Sequence, residues 1–176
     1  MAHKIYITEG IILKKKDYGE ADRLFWIYTE KFGMIMAAAK GARLEKSKLR
    51  YGLDLYTYGE FAVISLGDFW QITDARDIAR ALPFNSQALE RFSGLAALLV
   101  RMIKGEEKNE TAWKHLKDFF LEIFKKEKTP DSKNMKDLET RAASGILHSL
   151  GYMETMPGNG LAAVSAINRA IKESML

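Results

Sequence analysis

Five cations, Lys40, Arg43, Lys46, Lys48 and Arg50, fall within eleven residues, and only Glu45 opposes them. A segment this charged has no place in a core, because an uncompensated buried cation costs more than its aliphatic stem returns. It belongs at the surface, where it makes a locally positive field. The chemistry open to such a field is neutralisation of a polyanion, and the commonest intracellular polyanion is nucleic acid. The bland alternative, a solvated loop kept basic for solubility, stays open on this segment alone. Lys14, Lys15, Lys16 and Arg23 stand at the ends of apolar runs nearby and extend the positive track if the chain brings those ends together. Aromatic rings beside such a track stack on bases; the candidates are Tyr18, Tyr51 and Trp70. Trp70 reads first as a core residue, whereas Tyr51, set between Arg50 and Gly52, is balanced between stacking and rim packing.

Other chemistries find little support. Glu20 and Asp22 lie close in sequence, and paired carboxylates do acid–base work. Here they share a turn with Arg23 and the three lysines, so turn-fixing and charge balance are the expected roles. No cysteine is present, which excludes disulfides and thiolate metal sites and fits a reducing compartment. His3, His115 and His148 are scattered and make no metal cluster; His148 is expected to be a half-buried packing residue on a helix. No phosphate loop or nucleophile signature appears, so neither enzyme activity nor a cofactor is expected. No run approaches the ~18 apolar residues of a membrane span, and no apolar signal core opens the chain. These features fit a soluble cytoplasmic protein.

The elements that must position these residues fall into two halves. Of the 176 residues, 47% are hydrophobic, enough for a real core, and the net charge is +4. The alternation of Ile5, Ile7, Ile11 and Leu13 predicts a strand from Lys4 to Lys16, followed by a turn at Asp17–Glu20. Further strands are expected over Asp22–Glu30, Met34–Lys40, Leu53–Leu66 and Phe69–Arg76. Gly59 marks a bulge, and Gly67-Asp68 a hairpin turn. Five short antiparallel strands suggest a small closed barrel, of which the OB architecture is the type that habitually binds single strands. After Pro83 the period becomes helical. Helices are expected over Asn85–Lys104 and from Asn109, then from a cap at Asp131 or Ser132 to a stop at Gly151, and over Leu161–Leu176. The fold class is therefore α+β: an all-β OB-fold barrel in residues 1–81, followed by an all-α helical bundle in residues 82–176.

The barrel half resembles the bacterial RecO family of DNA repair and recombination mediator proteins. The phrases that carry the likeness are TEGIILKKKDYGEADRL (Thr8 to Leu24), YTEKFG (Tyr28 to Gly33) and AAAKGARLEKSKLRYGLDLYTYGEF (Ala37 to Phe61). More faintly, RAASGILHSLGY (Arg141 to Tyr152) is similar to the family's helix ending in L-x-x-L-G-Y. The resemblance implies an OB-fold followed by helices and binding to single- and double-stranded DNA. It further implies annealing of complementary strands and loading of a recombinase onto strands coated by single-strand-binding protein. The implied partners are RecR and the acidic C-terminal tail of that binding protein. Two departures stand out. METMPGNGLAAV occupies the place of the four-cysteine zinc ribbon, so a short form without zinc is expected, and Ala142-Ala143 replaces an aromatic-acidic pair.

The helical half offers a partner surface. Trp113, Phe119, Phe120 and Phe124 crowd one helix, and four bulky rings are expected to leave an apolar groove. An acidic peptide ending in a free carboxylate would need a cation there. Arg141, which matches an Arg of the family's helix, is the candidate, with Lys114 and Lys117 less favoured. The alternative is that Arg141 pairs with Asp137, four residues before it. The expectation is a non-enzymatic DNA-binding mediator, with a protein-interaction adaptor and an RNA-binding OB module as rivals.

Overall fold

The computed structural model describes residues 4–67, 69–81, 85–124, 130–156 and 160–173. Five strands come first: β1 (Ile5–Tyr18), β2 (Asp22–Thr29), β3 (Gly33–Ala39), β4 (Thr57–Ser65) and β5 (Trp70–Arg80). A single helical turn, α1 (Leu49–Gly52), interrupts them between β3 and β4. Helices α2 (Ser86–Met102), α3 (Glu110–Ile123), α4 (Ser132–Ser149) and α5 (Leu161–Glu173) follow. The α+β class thus holds, with strands segregated from helices.

The strands pair in the order β1-β2-β3-β5-β4, and β4 returns to β1. Every pairing is antiparallel except the β3–β5 seam, where Ala37 meets Trp70 and Ala38 meets Gln71. A ring closed through so short a seam is the partly open, five-stranded barrel of the OB type. Its core is built from inward positions of all five strands, among them Ile12, Phe25, Ile27, Ile35, Phe61, Val63 and Ile72. Trp70 joins this core at 5% exposure, packs beside Tyr6 and Phe32, and donates from Nε1 to Glu106 at 2.7 Å.

Several boundaries differ from expectation, and α2 ends at Met102 rather than Lys104. β1 runs on to Tyr18, because Lys14–Tyr18 pair with Trp26–Asp22 as a ribbon, so the turn is confined to residues 19–21. β4 starts at Thr57 rather than Leu53: Leu53 is buried in the barrel core, and Tyr56 turns at a φ of 57°. β5 continues to Arg80 because Thr57 and Tyr58 pair with Arg80 and Ala79. The bulge foreseen at Gly59 is present as a register shift between Tyr58 and Gly59. Asp68 of the foreseen hairpin turn lies outside the described residues; Leu66 N–H donates to Phe69 O at 2.9 Å across it.

The chain divides into two compact units. One comprises Met1–Ala81 with Ile103–Lys108; the other comprises Leu82–Met102 with Asn109–Leu176. Residues 103–108 therefore pack with the barrel although they follow α2 in sequence. In the helical unit α4 touches α2, α3 and α5. Asn85, Asn109 and Asp131 cap α2, α3 and α4 by accepting from the backbone N–H of Ala88, Ala112 and Asn134. Each cap satisfies an amide that the first helical turn leaves unpaired. Phe92, Phe119, Phe120 and Phe124 make one aromatic cluster, and Trp113 is 6% exposed. Most of this ring surface is spent on the core, not on a groove. The expected connection through residues 125–129 and the loop at residues 157–159 lie outside the described residues. His148 is exposed, contrary to expectation, because α4 turns its apolar face away from that position.

Candidate nucleic-acid interface

A bulge decides where the lysines of β1 point. The β1–β2 register slips between Ile12 and Lys14. Ile12 faces the core opposite Ile27, and without the slip Lys14 would face inward too. Instead Lys14 pairs with Trp26, Lys15 with Phe25 and Lys16 with Leu24. Phe25 is a core residue, so Lys14 and Lys16 share the outer face while Lys15 takes the inner one at the barrel mouth. Lys15 meets Asp54 there at 2.6 Å. Burial works against the Asp54 carboxylate, but the hydrogen bond from Lys15 and the Leu55 amide outweigh it, and its pKa is lowered.

The basic loop is anchored and then exposed. Ala42, Leu49 and Leu53 pack onto the barrel core. Between these anchors, Leu44 N–H donates to Gly41 O and Ser47 N–H to Leu44 O, each at 3.0 Å, winding the segment into consecutive turns. Lys40, Lys46, Lys48 and Arg50 are exposed on those turns, and Tyr51 is 71% exposed. Among the described residues none of these four cations, nor Lys16, has an ion-pair partner within 4.0 Å.

Hydrogen bonds tie this loop to the β1–β2 turn. Gly41 N–H donates to Asp22 Oδ1 at 2.8 Å, and Arg43 N–H donates to Ala21 O at 2.9 Å. Asp17 sits between two guanidinium groups, 2.7 Å from Arg23 Nε and 3.6 Å from Arg43 Nε. The hydrogen bond from Arg23 holds the Asp17 carboxyl below its ordinary range, assisted by the charge of Arg43 and Lys15. Arg43 also donates to Gly19 O at 3.2 Å. At its far end the loop is held by the Lys15–Asp54 pair, by Tyr56 N–H donating to Ile12 O, and by Arg80 donating to Tyr51 O. The ends of β1 and β3 and the start of β2 thus meet at one end of the barrel, bringing Lys14–Lys16, Arg23 and Lys40–Arg43 together.

Sequence reasoning overlooked Trp26. Phe25 and Ile27 point inward, so the alternation of β2 places Trp26 outward, and the Lys14 ammonium lies 4.6 Å from the centre of its ring. Tyr18 is 60% exposed at the hairpin end, whereas Trp70 is a core residue and closed to a ligand. Glu20 is exposed, and Asp22 accepts from Gly41 N–H of the basic loop.

Of the candidate partner residues of the helical unit, Arg141 and Lys114 line one cleft together with Phe119 of α3, and Lys117 does not line it. Lys114 pairs with Asp118 at 2.5 Å, and Lys117 lies 5.7 Å from the centre of the Trp113 ring. Arg141 is exposed and makes no ion pair with Asp137; both border a polar cleft of about 540 Å³. Arg141 and Lys114 share a second cleft of about 420 Å³ with His115, Asp118 and Glu122. Burial, then the Lys114 charge, pushes the His115 pKa down, partly opposed by Asp118. The apolar groove lies elsewhere, between α2, α4 and α5. It holds about 620 Å³, and Leu95, Leu98, Ala143, Val164 and Ile167 line it, with Arg101 and Lys136 at its edge. The groove and Arg141 are therefore separate features. Among the described residues no group of three or more His, Asp or Glu side chains is placed to hold a metal, and no helix is long and apolar enough to cross a membrane.

Comparison with known proteins bears on the barrel first. The profile of the family described as "Recombination protein O N terminal" matches residues 1–79. A relative from Acetivibrio thermocellus named "DNA repair protein RecO" is 31% identical over 147 residues, covering 82% of this chain and 57% of the relative. Proteins of the same name from Clostridium novyi and Clostridium perfringens are 29% and 33% identical, over 66% and 60% of this chain. The matched region covers 47% and 44% of those two proteins, so the chain spans about half the length of the curated relatives it matches.

Proposed function

The chain belongs, through residues 1–79, to the recombination protein O family, and from that premise we propose that it is a non-enzymatic DNA-binding mediator of recombinational repair in the cytoplasm. The observation that carries the proposal is the joining of the β1–β2 turn to the Lys40–Arg50 loop at one end of the barrel. Lys14, Lys15, Lys16, Arg23, Lys40, Arg43, Lys46, Lys48 and Arg50 there outnumber Asp17, Glu20, Asp22, Glu45 and Asp54. Phosphates binding at this end displace condensed counterions, and the entropy of their release drives association. A surface that neutralises two strands at once lowers their mutual repulsion and speeds pairing. Tyr51, exposed beside Arg50, is positioned in sequence to meet a base once the phosphates are held.

Changing Lys46, Lys48 and Arg50 together to Glu lowers affinity for single-stranded DNA at least tenfold and leaves the melting temperature nearly unchanged, since all three are exposed and have no ion-pair partner among the described residues. Fluorescence anisotropy at low salt checks the first outcome and thermal denaturation the second. Equal affinity in variant and parent removes the loop from the interface. Competition between matched RNA and DNA strands separates this reading from an RNA-binding module. A strand-annealing assay, with and without single-strand-binding protein, tests the mediator role directly.

The groove between α2, α4 and α5 supports a second reading, that of an adaptor for protein partners. Its apolar floor and the cations Arg101 and Lys136, beside the neutralised Arg91–Glu139 pair, suit an acidic peptide with an apolar end, the chemistry of the single-strand-binding protein's tail. Arg141 and Lys114 border a separate cleft, part apolar through Phe119 and Leu138 and part charged, that suits a mixed partner surface such as RecR would have to present. A protein that anneals nothing and shifts no DNA at moderate salt, yet binds that tail peptide, would be the adaptor.

A further inference from the structure

We propose that Lys14, Trp26 and Met36 form a stacking platform for one unpaired base, and that this platform makes the barrel prefer single strands to duplex. The proposal deepens the DNA-binding reading and rests on it. The three residues are a cross-strand row: Lys14 pairs with Trp26, and Trp26 with Met36. All three are at outward positions. Trp26 is only half-buried, whereas Trp70 and Trp113 are 5% and 6% exposed. Met36 keeps 41% of its surface exposed beside it. An indole and a thioether left partly open on the same stretch of sheet make a polarizable surface on which a base can stack.

A flexible side chain lies over the ring. The Lys14 ammonium lies 4.6 Å from the ring centre, drawn there by the electron-rich π-face, and Lys14 has no carboxylate partner among the described residues. A strand offers Lys14 a better site, because a phosphate carries full charge. When Lys14 swings to a phosphate, the ring face is freed for the base of the same nucleotide. Lys16, next but one on the same face, is exposed and ready for a neighbouring phosphate. Stacking is sequence-tolerant, since every base has a π-face. It is also selective for structure: a base inside a duplex is already stacked on both sides and cannot reach the ring without leaving its partner. The cations of residues 40–50, by contrast, neutralise phosphates of either form.

The test uses the full chain and two labelled probes of equal length, a thymidine oligonucleotide and a blunt duplex. Trp26→Ala is expected to weaken single-strand binding about tenfold and duplex binding less than twofold. Trp26→Phe keeps a ring and should stay within about threefold of the parent for both. Because the other two tryptophans are buried, saturating oligonucleotide should quench the parent's tryptophan emission, and Trp26→Phe should lose that response. This fluorescence readout also serves if Trp26→Ala folds poorly. Equal losses for both probes, or parent emission unmoved at saturation, overturn the platform. If the Lys46, Lys48 and Arg50 variant still weakens binding in that case, the DNA-binding reading survives alone. A parent that binds neither probe removes both.

Discussion

Asp17 controls how much positive charge the barrel end presents. Its carboxylate lies between Arg23 and Arg43 and is held in its ionised form mainly by the Arg23 hydrogen bond. Exposed ion pairs are weak and screened by solvent, so a phosphate can compete for either arginine. Asp17→Asn removes the competitor and should raise single-strand affinity about two- to fivefold in a low-salt anisotropy titration. An unchanged affinity would mean that neither arginine reaches a phosphate. Asp17 was legible in the sequence only as part of a turn, because its two partners lie 6 and 26 residues away: the register of β1 on β2 brings Arg23 opposite it, and the pairing of β2 with β3 and the loop's hydrogen bond to Ala21 bring Arg43. Trp26 was half legible: alternation with Phe25 and Ile27 puts it outside, but its pairing with Lys14 depends on the bulge after Ile12.

At the scale of elements, the short segment 103–108 packs with the barrel, against Gly33 and Trp70. Gly33 opens β3 at a φ of 68°, and a Cβ added there would lie 2.1 Å from the carbonyl oxygen of Glu107. Gly33→Ala must therefore both strain the turn and push the segment away. A loss of about 2 kcal/mol or more is expected in a denaturant titration. The variant should also loosen Trp70, whose indole N–H donates to Glu106. If stability were unchanged, the segment would not be bound where it lies. Nothing in a local pattern announces this packing: the helical spacing carries the expected helix on through Ile103 to Lys104, and residues 105–108 look like an ordinary polar link. The helices were more legible, since the capping side chains of Asn85, Asn109 and Asp131 act within three residues of themselves.

For the whole molecule the relevant quantity is charge placement, since a net charge of +4 on 176 residues is modest. If Lys46, Lys48 and Arg50 each neutralise one phosphate, removing them lowers the slope of log affinity against log salt by about 2 for a single strand. Titrations at four or five salt concentrations measure that slope. A slope that stays fixed while affinity falls would point to a local distortion and not to lost phosphate contacts.

The chain by itself determined its two kinds of architecture, because periods of two and of about three and a half are written into consecutive residues, and it marked the basic loop, because charge density is a local property. Only the folded molecule decided which cations stand free and which are held, where Trp26 looks, and which clefts the helices leave open. Those outcomes depend on strand register, on one bulge and on hydrogen bonds between residues far apart in the chain, and such contacts exist only once the sheet has closed.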